Sequence, residues 1–297
     1  MMEQAAHTTI KTSILPKPIG ASGALAHYSF CFRASFGHSL MLMLRRQRLI
    51  LAVVISMLPV VIPLAMALLS TAQFAESGFD VFTKMAKEAH INVLAPLLAL
   101  FFATMIVGED VESRTIPLML TRPMPRSAWV LGRFTAYMGV TSLILGASMF
   151  LTFAASTALA ELSFNRDGLW RLATHEFAMV MALMANGALA LLLGALTRRP
   201  IIIGVLVLYG WQRLAMVVPG IIDFMTIMKY TNALLPTTMV AKTAKAQEVL
   251  TEITKKEFLV AAPKAALVLL CITATLLAIA IIVTRIREYA TDRAAGS

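Results

Sequence analysis

Cysteine is nearly missing from this sequence, and charge is scarce. The 297 residues include 2 Cys, and Asp, Glu, Lys and Arg together make up 14% of the chain, against about 25% in an average soluble domain. Cys31 precedes the first apolar run and Cys271 lies inside the last, so they form no disulfide framework. With no CxxC and no Cys/His cluster, they supply neither a redox pair nor a metal site. Walker sequences, nucleophile elbows and phosphate-binding glycine loops are missing too, which excludes an ATPase or esterase centre of these types. THEF at Thr174–Phe177 comes nearest to the zinc-protease motif, but Met179 stands where the second histidine is required. Asp167 and Gly168 likewise lack the arginine and further aspartates of the lipid-head-group phosphotransferases. No repeat recurs at a period of about 20–50 residues.

What the chain has in excess is apolar sequence: 59% of residues are hydrophobic and the mean hydropathy is +0.78. That composition defines a polytopic membrane protein. A crossing needs about 20 mostly apolar residues, and six segments qualify: Leu49–Ser70, Ile91–Gly108, Ala128–Ala160, Glu176–Leu196, Ile201–Ile221 and Lys264–Thr284. They are expected to be helices, because unpaired backbone in lipid is prohibitive and none shows the alternation of a barrel strand. The expected fold is therefore all-α, one membrane domain over 49–284, with a leader over 1–48 and a tail over 285–297. No cleavable signal peptide is expected, since the first apolar run starts near Leu49 after a polar leader.

The net charge of +10 would suggest nucleic acid in a soluble protein, but here the basic residues flank apolar runs and set orientation instead. Arg45, Arg46 and Arg48 precede the first run; Arg114, Arg122, Arg126 and Arg133 fall between the second and third; Arg198 and Arg199 separate the fourth and fifth; Arg285 and Arg287 follow the sixth. With six crossings all of them share one side, predicted to be the cytoplasm with both termini in it. The lysine-rich stretch 222–263 then lies outside, and its AKTAKAQEVLTEITKKEF portion has the spacing of an amphipathic helix able to meet lipid head groups or a periplasmic partner. From His27 to Arg48, aromatic and basic residues mix in a segment too polar to cross, which predicts an interfacial helix.

One interval stands apart. GEDVESRTIPLMLTRPMPRSAWVLGR, Gly108 to Arg133, places three acids, four arginines and three prolines between two apolar runs. It reads as an exit from the membrane, a short apolar hexapeptide boxed by Pro123 and Pro125, and a re-entry capped by Ser127. An apolar knob of this kind on a membrane surface fits a partner's groove. Anchoring alone requires basic charge, but neither the acid-first order nor the paired prolines.

Gly108, Glu109, Glu112, Thr115, Ile116, Leu118, Leu120, Arg122, Pro123, Arg126, Gly132 and Arg133 together resemble the signature of ABC-2 type transporter permeases. The likeness is greatest to the subgroup containing the membrane subunit of the copper-site maturation transporter of nitrous oxide reductase. It covers the whole layout of leader, six spans and long external segment; Arg114 departs from it, since many members have glycine there. The resemblance implies a coupling helix in the loop 109–127 that docks on a separate cytoplasmic ATPase through Glu109, Glu112, Arg114, Thr115, Leu118, Leu120, Arg122 and Pro123. Arg126 belongs to the same set, and Arg126 and Arg133 are expected to hold the element to the membrane surface. It also implies a second permease copy, identical or homologous, with ATP and Mg bound by the ATPase and no cofactor on this chain.

Within the spans, Gly132, Gly139 and Gly146 recur every seven residues, and Gly187 and Gly194 repeat the theme, so these faces are expected to pack closely against other helices. Arg213 is the basic residue well inside an apolar run, a functional or snorkelling residue with Glu176 and Asp223 as candidate partners. Two rival readings remain, a lipid-modifying membrane enzyme and an ATP-independent secondary transporter. The first requires titratable groups converging at one depth, the second internal repeats or paired broken helices.

Overall fold

The computed structural model describes residues 21–69, 77–104, 124–159, 162–197, 199–217, 224–235 and 260–286. The described residues form helices and no strand. Five helices are long and apolar enough to cross a membrane: α2 (Arg46–Leu68), α3 (Gly78–Ala103), α4 (Arg126–Ser156), α5 (Arg166–Leu196) and α8 (Ala262–Ile286). A shorter apolar helix, α6 (Pro200–Ala215), occupies the place of the expected fifth crossing. Ahead of them runs α1 (Ala21–Met43), and between α6 and α8 lies the short α7 (Ile227–Ala233).

Two helices begin well before the expected runs. Ser77 caps α3 by accepting from the Asp80 backbone N–H at 3.2 Å, and Asn165 caps α5 by accepting from Gly168 N–H at 2.8 Å. Caps of this kind satisfy amides that the first turn leaves without partners. Asp80, Lys84, Lys87 and Glu88 in α3, and Arg166, Asp167 and Arg171 in α5, lower the local hydropathy without interrupting the helix, so a search for apolar runs starts too late. At the re-entry the helix starts two residues earlier than a Ser127 cap requires: Pro125 precedes the first turn, makes no side-chain cap bond, and Ser127 lies inside the helix.

The architecture is built around α4 and α5, which pack on each other. Helices α1 and α2 lie against α4; α3, α6, α7 and α8 lie against α5. Helix α5 is the most enclosed of the five long helices, while α2 and α8 bury the least and present Leu58, Val61, Leu267 and Ile282 outward. Helix α2 shows how one face is selected. Ala52, Ser56, Pro59 and Pro63 are buried at helical spacing, and Val54, Leu58 and Ile62 point away.

Glycines permit the closest approaches. A Cβ on Gly132 would come within 2.8 Å of the Phe32 carbonyl oxygen and 2.9 Å of Ser35 Cβ, so α1 and α4 cross nearly backbone to backbone. Ser35 Oγ seals the crossing by donating to the Trp129 carbonyl at 2.9 Å. On the other flank of α4 the Tyr137 ring lies in the space a Gly187 side chain would fill, and its hydroxyl donates to the Leu183 carbonyl of α5 at 3.1 Å. Gly194 is buried in α5. Gly139 is exposed, with open space where its Cβ would stand, so it packs on no helix among the described residues.

Part of the stretch expected to be an external connector folds into the bundle. Ile227, Met228, Tyr230 and Thr231 of α7 are buried, and Ile227 and Tyr230 join Met181, Ala185, Ala265 and Leu269 in a small core between α5 and α8. The expected amphipathic helix from about 241 to 258 lies outside the described residues.

Overpacking of the α1–α4 crossing is expected from Gly132→Val, with a loss of about 1–3 kcal/mol because the neighbour is backbone that cannot rotate away. Its apparent melting temperature in detergent should fall by several degrees while Gly139→Val leaves the value unchanged. Equal effects of the two substitutions would contradict this packing.

Candidate functional site

Polar side chains inside the bundle converge on the contact of α3 with its neighbours. His90, fully buried in α3, places Nε2 3.0 Å from Ser148 Oγ of α4 and Nδ1 3.2 Å from the Met85 carbonyl. Ser148 in turn donates to the Ser56 carbonyl of α2. Three helices are thereby joined by hydrogen bonds at a depth where water cannot compete. The acceptor lies beside a weakened part of α2, because Pro59 lacks the N–H that would meet the Ile55 carbonyl and Pro63 lacks the one for Pro59.

Helix α3 departs from α geometry twice, with π-helical hydrogen bonding over Met85–Leu94 and Ala99–Ala103. A third π segment, Leu206–Trp211, lies in α6. The α3 and α6 segments touch: Tyr209 donates its hydroxyl to the Val93 carbonyl at 2.6 Å. One turn on, Gln212 donates to Asn186 Oδ1 of α5 at 3.4 Å, and Asn186 donates to the Ala182 carbonyl at 2.9 Å. Wide turns of this sort collect at functional positions and mark places where a helix can change register. Helices α3 and α6 are thus joined at irregular turns, whereas α4 and α5 are regular throughout.

At the end of the bundle where α3 leaves and α4 begins, Arg126 reaches across to α8. Its guanidinium donates to the Thr284 carbonyl at 2.6 Å and to the Arg285 carbonyl. These carbonyls belong to the last turn of α8, where a helix has unmet acceptors and negative partial charge. The first residue of α4 is therefore fastened to the final turn of the last long helix.

The other expected site residues fall as follows. Glu109, Glu112, Arg114, Thr115, Leu118, Leu120, Arg122 and Pro123 lie outside the described residues. Arg133, expected at the membrane surface, is instead 1% exposed and stacks 4.2 Å over the Trp129 ring. Its burial beside α1 follows from the helical register, which turns position 133 inward with Trp129 and Tyr137. Arg213 is exposed on α6 and forms no ion pair with Glu176, which lies on α5 against Gly146 of α4. Among the described residues no group of three or more His, Cys, Asp or Glu gathers that could hold a metal: His175 is buried against Phe82 with ring centroids 5.2 Å apart, and Arg171 covers the Phe79 ring at 4.2 Å. The His90–Ser148–Ser56 chain was missed because the apolar run expected there began at Ile91. The signal was present as a histidine one residue outside that run.

Five helices long and apolar enough to cross a membrane define a multi-pass integral membrane protein. The chain belongs to the ABC-2 family transporter proteins, whose family model matches residues 41–210, more than half of its length. The match runs from the end of α1 into α6 and includes the acid- and proline-rich interval. No curated protein sequence matches the chain.

A double-mutant cycle tests the polar chain. His90→Ala and Ser148→Ala should each cost about 0.5–2 kcal/mol in detergent unfolding, and the pair should cost less than the sum by about 0.6 kcal/mol or more. Strict additivity would mean that the two side chains do not act together.

Proposed function

We propose that this chain is the permease subunit of an ATP-driven transporter and that it moves its substrate outward across the cytoplasmic (inner) membrane. The observation that carries the proposal is the family match across residues 41–210, with the loop 109–127 at its centre and α3 and α4 on its flanks. In this reading α6 supplies a sixth crossing, both termini are cytoplasmic, and α1 runs along the cytoplasmic interface. The motif is similar in particular to that of the subgroup that includes the copper-site maturation permease of nitrous oxide reductase. In this reading the stretch 222–263 lies on the periplasmic side, where α7 near its start packs into the bundle and the remainder meets a partner.

The loop holds a coupling helix. Glu109, Glu112, Arg114, Thr115, Leu118, Leu120, Arg122 and Pro123 dock on a separate ATPase that binds ATP and Mg, and this chain binds no cofactor itself. Two permeases, identical or homologous, sit over two ATPases. When the ATPases close, the docked loop moves and α3 and α4 move with it as levers. The work derives from the difference in ATP affinity between the two states, so this chain transmits free energy and catalyses nothing. Arg126 supports the reading from the permease side: it fastens the start of α4 to the end of α8, so displacement of the loop reaches a helix distant in sequence. The π turns of α3 and α6 supply a joint that can yield while α4 and α5 stay rigid.

Purification of the tagged chain in mild detergent, followed by mass spectrometry, should recover an ABC ATPase. The double variant Leu118→Asp, Leu120→Asp should lose that ATPase while still inserting into the membrane. Recovery of no ATPase with the wild-type chain, or equal recovery with the variant, would overturn the docking assignment.

A further inference from the structure

Glu176 has no role in the packing described above. Among the described residues it takes part in no hydrogen bond and no ion pair. The distance from Arg166, where α5 starts, is about 15 Å at 1.5 Å per residue. From Glu176 on to Leu196 the helix rises about 30 Å, the thickness of the hydrocarbon core. With the core ending at Leu196, the carboxyl lies at its opposite edge, half-buried, on a helix that is otherwise the most enclosed of the long ones.

Gly146 of α4 stands opposite and accounts for the space. A Cβ there would lie 3.3 Å from Glu176 Oε2 and 3.8 Å from Oε1, so the carboxyl lies along bare α4 backbone in a notch that any larger side chain would fill. The surface around it is apolar and open: Leu143 and Phe150, on the same face of α4 by helical spacing, are 76% and 47% exposed, and Phe177 beside Glu176 is 53% exposed. Among the described residues no cation forms an ion pair with Glu176. Arg171 covers Phe79, Arg133 is stacked on Trp129 toward the far end of α4, and Arg213 lies on α6 with no ion pair to Glu176.

A carboxylate at this depth without a counter-charge is costly, so a ligand that supplies one is favoured. One carboxyl among apolar walls cannot provide the six to eight oxygens that Ca²⁺ takes or the octahedral shell of Mg²⁺. An organic cation differs in both respects: its charge is more weakly hydrated, and its apolar body matches the open surface. Phe150, one turn along α4 from Gly146, adds an aromatic face that attracts such a cation.

We propose that the Glu176–Gly146 notch binds the cationic head of an amphipathic organic molecule, which enters sideways between α4 and α5 from the membrane. As a step in transport this site rests on the permease reading; as a binding site it requires no ATPase. The full chain alone, in nanodiscs of phosphatidylcholine, is therefore the material for the test, with rhodamine 6G as the probe and empty nanodiscs subtracted for dye dissolved in lipid.

Fluorescence polarisation should show saturable binding to the wild-type chain, weakened about tenfold or more by Glu176→Gln. This substitution keeps size and shape, and an unchanged melting temperature would show that the fold is kept. Gly146→Leu, which covers the carboxyl without removing it, should weaken binding to a similar degree. Undiminished binding to Glu176→Gln would overturn the site, as would no saturable binding to wild type. So would a fall in the dimer fraction of Glu176→Gln, by mass photometry, without dye binding to wild type, because a second copy would then cover the notch. ATPase recovery with the tagged chain is read separately, so failure of this site and failure of the permease reading remain distinguishable.

Discussion

Close approach of backbones across α4 is the constraint on which the rest of the structure depends. In lipid no hydrophobic force draws one apolar helix to another, so association rests on van der Waals contact and on hydrogen bonds that exchange no water. Helix α4 meets α1 where Gly132 lies under the Phe32 carbonyl, and meets α5 where the Tyr137 ring fills the place of a side chain at Gly187. Both contacts use glycine on one partner and a hydrogen bond to a main-chain carbonyl beside it, from Ser35 to Trp129 and from Tyr137 to Leu183. With α4 fixed on two flanks, the other helices have a frame to pack on.

Against that frame the irregular parts are placed selectively. The wide turns of α3 and α6 face each other through Tyr209 and Val93, and the prolines of α2 lie near the carbonyl that Ser148 meets. A helix with wide turns or missing donors bends at lower cost than a regular one. The bundle therefore combines a stiff pair, α4 and α5, with elements able to bend around it. Arg126 joins the start of the stiff pair to the end of α8, and the acid- and proline-rich interval immediately precedes it in the sequence. An assembly that must convert an event at one membrane surface into movement inside the membrane needs this combination of rigid and yielding parts.

Two kinds of intramembrane polarity stand out among the described residues. His90, Ser148, Asn186 and Gln212 are buried and find partners on neighbouring helices, so they stabilise the bundle and fix which helices adjoin. Glu176 is half-buried, faces glycine and open apolar surface, and has no such partner among the described residues. The first kind explains itself by packing, and the second calls for something outside the chain.

Composition and the spacing of apolar runs were enough to establish an all-helical membrane protein, because only helices and closed barrels satisfy backbone groups in lipid. The order of residues from Gly108 to Arg133 was enough to suggest the family that the match over residues 41–210 bears out. Helix starts were less legible: α3 and α5 carry charged first turns that hydropathy discounts, while Ser77 and Asn165 cap them all the same. The glycines looked equivalent in sequence, but only the tertiary structure separated Gly132 and Gly187, pressed against neighbours, from Gly139, which faces open space. It alone turned Arg133 inward, brought His90 to Ser148, and left Glu176 apart from Arg213. Local sequence sets which groups lie on each face of a helix, whereas the rotation and crossing of helices, decided by packing between distant segments, determine what each face meets.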